Sequence, residues 1–363
     1  MKITRIAAAE LDQALVNRWR QLCQADVTLH SPYFSAGYIQ ACAAACQEVY
    51  VGVIEADGEV VGFFPYQLTA RRVAGAVSGR LSDWHGLVAD SDRDLGMCVV
   101  LRACGVDIWD FDHLPQSQHS FQPFVTSQDI SPILDLSQGF GRYFEARKAA
   151  GAQRISKLQS KARKFERVLG PLRFEIDCRD RRAFEQVIGW KREQCLRTGA
   201  PDFLSWGWTT DLLERVWAID TPAFAGRLSV LWHDTHIVAA HYGMRSATVW
   251  HWWFPTYNKT YAEFSPGGIL LLRLAEEAAT TGVRHIDLGK GDDVYKQSFA
   301  TGGIPLVEGS VQLPSLTRDW RRARIAGREL LQRSPTLNRA WTAVKSVRDR
   351  LSKQDGPGRS ASP

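Results

Sequence analysis

The sequence has no long hydrophobic run: no stretch approaches the ~18 consecutive apolar residues that a membrane-spanning helix requires. Residues 1–13 reach Glu10 and Asp12 after only a few apolar positions, so a secretory signal peptide is not predicted. Both absences favour a cytoplasmic protein.

Cysteine is sparse and scattered, with seven residues in the chain and no C-x-x-C pair. Cys42 and Cys46 have the i, i+4 spacing of one helix face, but no pair of histidines accompanies them. We therefore expect reduced cysteines that fill the core, and no metal site.

A net excess of basic charge is lacking outside the C-terminal region. The whole chain carries a net +6, whereas residues 316–363 hold twelve Lys and Arg against four acidic residues, a net +8. Residues 1–315 therefore carry a net charge of −2, which argues against a dedicated DNA-binding body.

Two β-hairpins are present instead, and they resemble each other. Residues 49–66 alternate around Asp57-Gly58, and residues 228–244 repeat the pattern around Asp234 at a constant offset of 177 residues. Each hairpin follows a helix-rich stretch, which predicts two copies of one α/β unit, each a twisted mixed sheet flanked by helices.

The predicted organisation has four parts. They are an N-terminal domain (1–143), a second domain (144–315) that opens with a basic helix over 144–170, a basic helical tail (316–352) and a disordered end (353–363). The basic helix carries Arg154, Lys157, Lys161, Arg163, Lys164 and Arg167 against Glu166. Such a helix is either a solvated face or a surface for an anionic substrate bearing phosphate or lipid.

A glycine-containing loop opens a helix after the second hairpin. A strand is predicted over 247–254 and another over 284–289, with Ser265 as N-cap and Pro266 in the first turn of the helix between them. Gly267 and Gly268 would let a ligand approach the backbone. The pattern fits either a pyrophosphate site at a helix N-terminus or an ordinary capped helix.

A second polar cluster follows the strand 284–289. Asp287 stands near the carboxyl end of that strand, where α/β proteins present ligand groups, and Gly289 keeps its surroundings open. Tyr295 and Lys296 begin the next predicted helix and would lean toward the same crevice. The alternative is structural, with Asp287 pairing with Lys296 to fix the turn.

Four segments carry a family resemblance: KFERVLG, HIVAAHYG, FSPGGILLL and DLGKGDDVYKQSFA. They lie within 150–300, and there the chain resembles the GNAT-like acyltransferases of the CelD/BcsL type. That family is associated with bacterial cellulose and exopolysaccharide synthesis and is related to the FemAB peptidyltransferases. One departure is the segment FSPGGI, which replaces the usual Gln/Arg-x-x-Gly-x-Gly/Ala loop.

The resemblance implies two tandem GNAT-like domains, of which we expect only the second to be active. It also implies acyl transfer from acyl-CoA to an amine or hydroxyl of a sugar, a nucleotide sugar or a lipid-linked saccharide. The strands 247–254 and 284–289 would splay apart to hold the donor, and Ser265, Pro266, Gly267, Gly268 and Ile269 would bind its phosphates. An aminoacyl-tRNA donor, as in FemAB relatives, is the alternative, and a non-catalytic scaffold for polysaccharide synthesis is another.

The resemblance also suggests roles for single residues. Asp287 would be a base or a substrate-orienting carboxylate, Tyr295 the acid that protonates the leaving thiolate, and Lys296 a partner for an anionic acceptor or for Asp287. His241 is an alternative base or a core residue. The acceptor pocket would comprise His251, Trp252, Trp253, Gly289 and Asp292, although clustered tryptophans are also ordinary core. The basic tail either docks onto the body or anchors the protein at the inner face of an anionic membrane.

Overall fold

A computed structural model describes residues 1–89, 93 and 95–333, and these residues form a mixed α/β fold. Residues Met1–Val311 form one compact unit, and the described residues that follow, 312–333, belong to a second. The expected second helix of the tail and the expected disordered end lie outside the described residues. Within the described part of the chain, no helix has both the length and the apolar character needed to cross a membrane.

The described strands join in one 13-stranded mixed sheet. The strands are β1 (Lys2–Ala7), β2 (Val49–Ala56), β3 (Glu59–Ala70), β4 (Val73–Gly75), β5 (Val88–Ala89), β6 (Ile108–Pro115), β7 (Val125–Asp135), β8 (Leu172–Glu175), β9 (Phe224–His233), β10 (His236–Ser246), β11 (Val249–Tyr257), β12 (His285–Asp287) and β13 (Gly302–Gln312). Their order is β1-β2-β3-β4-β6-β13-β7-β12-β11-β10-β9-β8, with β5 paired to β3.

Helices cover both faces of this sheet. They are α1 (Gln13–Ala25), α2 (Ala36–Ala45), α3 (Met97–Ala103), α4 (Phe140–Ala149), α5 (Gln153–Val168), α6 (Arg181–Thr198), α7 (Gly207–Ala218), α8 (Pro266–Ala278) and α9 (Val294–Phe299). A further helix, α10 (Leu316–Arg333), belongs to the second unit. The single basic helix expected over 144–170 is wrong, because α4 and α5 are separate. Gly151 lies between them with φ +76°, a conformation that ends a right-handed helix.

The predicted duplication is confirmed by the order and direction of the strands. In the first half β1 pairs antiparallel with β2, β2 with β3, and β4 runs parallel to β6. In the second half β8 pairs antiparallel with β9, β9 with β10, and β11 runs parallel to β12. Asp57 and Asp234 occupy the same left-handed position in the two hairpin turns, with φ values of 54° and 50°. The chain therefore contains two GNAT-like halves in tandem.

The last strands of the two halves are exchanged at the centre of the sheet. β7, from the first half, pairs antiparallel with β12 of the second half, and β13, from the second half, lies between β6 and β7. This exchange brings the first half's Ser131 beside the end of β12. The two halves share one sheet, and side chains from both can meet at its centre.

In the second half, each face of the sheet is covered by its own apolar core. On one side Phe184 and Val187 of α6 pack in a core that also contains Tyr242 and Trp253. We call this side the α6 face. On the other side α5 and α8 pack over Trp250 and Trp252, and we call it the α8 face. Successive residues of β11 thus point to opposite faces, as the pleat of a strand requires.

Candidate functional site

A cavity opens where β11 and β12 diverge. The two strands pair in parallel over only three positions, Val249 with His285, Trp250 with Ile286 and His251 with Asp287. β12 then ends, whereas β11 continues to Tyr257. The cavity measures about 770 Å³ and is lined by the far part of β11, the start of α8 and the loop after β12. The strands expected to splay apart are therefore adjacent, and their pairing stops at His251 and Asp287.

Ser265 holds the N-cap position of α8, but its side chain does not cap the helix. Its φ of 56° is left-handed, whereas a capping serine takes an extended conformation. Its Oγ instead accepts a hydrogen bond of 2.8 Å from Lys161 Nζ of α5. The expected side-chain cap is therefore wrong, and the contact places a lysine beside the helix N-terminus.

The two glycines at the start of α8 have different roles. A Cβ at Gly268 would lie 2.8 Å from Leu158 Cδ2, so this glycine allows α5 to pack closely against α8. A Cβ at Gly267 would meet only Tyr257, at 3.7 Å, and Gly267 lines the cavity with Pro266. Ile269 is buried in the core of the α8 face. Gly267 is thus the glycine whose backbone a ligand could approach.

A buried carboxylate, an imidazole and a second carboxylate form a chain next to the cavity. Asp83 Oδ2 lies 2.9 Å from Nε2 of His251, and Nδ1 of His251 lies 3.5 Å from Oδ2 of Asp287. The longer contact exceeds a well-formed hydrogen bond, so it is mainly electrostatic. Asp83 lines the cavity and its side chain is 26% exposed, whereas His251 and Asp287 are buried.

Asp287 is held by hydrogen bonds that occupy its two oxygens. Oδ1 accepts from Ser131 Oγ at 2.5 Å and from the backbone N–H of Gly289 at 2.8 Å. Oδ2 accepts from Trp84 Nε1 at 2.6 Å. The carboxylate lies outside the lining of this cavity, although it lines a second cavity of about 600 Å³ together with Trp84 and His285. This geometry suits the orienting role and not the role of base.

Together Asp83, His251 and Asp287, which we call the cluster, carry a net charge of −1 at neutral pH. Burial alone would raise the pKa of Asp287, but its hydrogen bonds and the nearby His251 charge hold it well below the usual range. Burial alone would lower the pKa of His251, yet Asp287 and Asp83 raise it to about 9. His251 is therefore an imidazolium between two carboxylates, and Asp83 presents the remaining negative charge to the cavity.

Half of this cluster comes from the first copy, although the sequence pointed to the second alone. Asp83 and Trp84 lie in the loop before β5, and Ser131 lies on β7. Asp83 and Trp84 stand in the segment SDWHGL (82–87), and Ser131 lies outside it. Nothing in its spacing connects it with a strand about two hundred residues later.

Tyr295 and Lys296 both reach the cavity from α9, as expected. Lys296 does not pair with Asp287, so that structural alternative is wrong. Its ammonium donates to the backbone carbonyls of Gly289 at 3.0 Å and Lys290 at 2.8 Å, and so fixes the loop after β12. Burial raises the pKa of Tyr295 to about 12, so its hydroxyl stays protonated at neutral pH.

The remaining candidate residues divide between cavity and core. Trp252 and Trp253 line the cavity together with Gly289. His241 is fully buried, its Nε2 accepts from the backbone N–H of Trp253 at 3.1 Å, and its ring stacks on Trp252. Asp292 is exposed and outside the cavity lining. The structure thus gives His241 the position of a core residue.

The family comparison matches the part of the chain that builds this cavity. Residues 152–297, which are 146 of the 363 residues, match the family described as Acetyltransferase (GNAT) domain. This region is similar to a GNAT acetyltransferase domain, and the expectation of an acyltransferase is confirmed. No curated protein matches the sequence significantly.

Two solved structures share the fold over most of the chain. One is FemX, with a TM-score of 0.54 and 9% identity, covering 85% of this chain and 96% of that one. The other is the C-terminal domain of a putative lysylphosphatidylglycerol synthetase from Agrobacterium fabrum, with a TM-score of 0.52 and 13% identity. It covers 83% of this chain and 92% of that one. At these identities the likeness is one of fold.

Proposed function

We propose that this protein is an acyl-CoA-dependent N-acyltransferase that modifies an amino sugar or related acceptor in bacterial exopolysaccharide synthesis. The observation that carries the proposal is the cavity between the diverging strands β11 and β12, with the start of α8 at its edge. The family resemblance of the CelD/BcsL type supports the pathway. Acyl-CoA is a substrate in this reaction, and its coenzyme A thiolate is the leaving group.

The cavity has features suited to each part of an acyl-CoA. Beyond His251 the backbone edge of β11 is no longer paired with β12, so it can bind the amide groups of a pantetheine arm. At the start of α8, the Gly267 N–H and the helix dipole favour an anion. Lys161 lies beside that helix start, and Arg154 and Lys259 line the cavity. These cations suit the phosphates of coenzyme A.

The transfer then follows from the polar groups at the cavity wall. The acceptor nitrogen bonds to the thioester carbon, the carbon–sulfur bond breaks, and the sulfur leaves as a thiolate. Asp83 takes the proton from the nitrogen of the tetrahedral adduct, because that ammonium is far more acidic than a free one. Tyr295 gives a proton to the thiolate and regains one from solvent. His251 and Asp287 hold Asp83 in position.

A donor screen tests the proposal. Acetyl-CoA and longer acyl-CoA thioesters are expected to raise the melting temperature of the intact protein, and isothermal titration should give one site per chain. Gly267→Val, which adds a side chain facing the cavity, should weaken binding at least tenfold. The control is Ala149→Val, at the exposed end of α4, which should bind acyl-CoA as tightly as the wild type.

The same screen decides between the two donors. Lys164, one of the lysines that would contact tRNA, is already ion-paired with Glu263 at 3.0 Å. This pairing favours the thioester. Tight, salt-sensitive binding of aminoacyl-tRNA with no response to any acyl-CoA would instead support the FemAB-like alternative and overturn the proposal.

We also propose that the protein is cytoplasmic and contacts the inner face of the membrane through its basic tail. The net +8 of residues 316–363, which include α10, supports this placement because cytoplasmic leaflets are anionic. Co-sedimentation should occur with phosphatidylglycerol vesicles and disappear at high salt. Equal binding to neutral phosphatidylcholine vesicles, or none to either, would contradict it.

A further inference from the structure

Lys191 occupies an unusual position on α6. It falls in the helix's buried stripe, four residues after Val187 and four before Cys195, both of which are buried. A lysine in such a stripe must direct its ammonium to a polar region. Here that region is the cavity, which Lys191 lines, with its Nζ 5.9 Å from the centre of the Phe254 ring.

The ammonium of Lys191 has no carboxylate partner in the described part of the chain within salt-bridge distance. Its hydrogen bond is to the neutral amide of Gln194, at 3.2 Å. Burial lowers the pKa of Lys191 and the charge of Lys296 acts in the same direction, whereas Cys195 and the carboxylate of Asp293 at the cavity wall act in the opposite direction. A partly desolvated cation beside a second cation is stabilised by an anion, and this cavity is the place where an anion can reach it.

The face of the sheet on which Lys191 lies indicates whether the donor or the acceptor carries that anion. Lys191 comes from α6, on the same face as His251, whose ring contacts Tyr33 of that face's core. The start of α8 and Lys161 of α5, which suit the donor phosphates, belong to the α8 face. The cation of Lys191 is therefore separate from the donor's phosphate site and lies on the side of Asp83 and His251.

We propose that the acceptor is a small amine that also carries an anionic group. This inference rests on the proposed function and specifies its substrate class. The amino group faces the carboxylate of Asp83, and the carboxylate or phosphate of the acceptor faces the ammonium of Lys191. One negative and one positive side chain on the same side of the cavity match both ends of such a molecule.

Matched acceptor pairs test the inference with the intact protein. Glucosamine 6-phosphate is compared with glucosamine for a phosphate, and β-alanine with β-alaninamide for a carboxylate. Binding is measured by isothermal titration in the presence of coenzyme A, and turnover by thiol release from acetyl-CoA. In at least one pair the anionic member should bind at least tenfold more tightly, and the pair identifies the anion.

Variants of Lys191 then assign the preference to this side chain. Lys191→Met suits the apolar stripe. In this variant the affinity for the anionic acceptor should fall to that for the neutral acceptor of the same pair, and the affinity for the neutral acceptor should not change. Lys191→Arg should keep the preference, and Lys148→Met, at an exposed lysine paired with Glu145, should change nothing. A change in KM for the anionic acceptor alone, with kcat unchanged, would not arise from a purely structural role of Lys191.

The outcomes separate this inference from the proposed function. Equal affinity for both members of both pairs, or an equal loss for both in Lys191→Met, overturns the acceptor class even when acetyl-CoA binds. Conversely, an anion preference that depends on Lys191 supports the site even when no acyl-CoA binds, and then it is the donor proposal that fails.

Discussion

Asp83→Asn is expected to reduce kcat by a factor of about 10²–10⁴, the usual contribution of a positioned general base. Asparagine keeps an oxygen toward His251 Nε2 but cannot take a proton from the acceptor nitrogen. The Asp83 side chain is 26% exposed, so the fold should tolerate the change. Thiol release under saturating donor and acceptor measures kcat, and thermal unfolding monitors the fold.

The control for this variant is Asp211→Asn. Asp211 is an exposed carboxylate on α7 that pairs with Arg215 one helical turn away. It is not one of the residues that line the cavity or hold Asp83. Its activity should stay within twofold of the wild type. Full activity in Asp83→Asn would remove Asp83 from the mechanism and return the role of base to another group.

Raising the pH from 6.5 to 9 is expected to lower the free energy of unfolding by about 3 kcal/mol through His251 alone. The pKa of His251 is raised in the folded protein from 6.5 to about 9. A raised pKa means that the imidazolium stabilises the fold fully below pH 6.5 and that this stabilisation is lost as the pH rises toward 9. Urea unfolding at half-unit pH steps measures the change.

His251→Gln is the control for the pH effect. The variant should be less stable than the wild type at pH 6.5, with a flatter profile up to pH 9. The pKa values of the other buried histidines, His85 and His241, lie below 6.5 because of burial, so they titrate outside this window. An identical slope in wild type and His251→Gln would show that His251 is not the buried cation.

Local patterns in the sequence predicted much of the second half. The alternation around Asp234, the apolar periodicity of α8 and the short buried strand ending at Asp287 all depend on neighbouring residues, and the structure has them as expected. Sequence alone therefore located the cavity wall at β11, α8 and β12. The same patterns suggested a capping Ser265, but Lys161, from another helix, takes its Oγ.

The partners of Asp287 could not be predicted in this way. Trp84 and Ser131 are separated from Asp287 by 203 and 156 residues. Ser131 reaches it because β7 crosses into the second half and pairs with β12, whereas Trp84 reaches it from the loop before β5. Such an exchange leaves no periodic signal in the sequence, since a strand's pattern records its burial and not its neighbour. The assignment of Asp83 and His251 thus required the structure.

The central claim is that acyl transfer occurs in the cavity between β11 and β12, beside a cluster built by both halves. A crystal structure of the protein with a non-hydrolysable acyl-CoA analogue tests it most directly. The account predicts the acyl carbonyl between Asp83 and Tyr295, with the phosphates at the start of α8. An analogue bound elsewhere, or one whose carbonyl lies remote from Asp83, would contradict it.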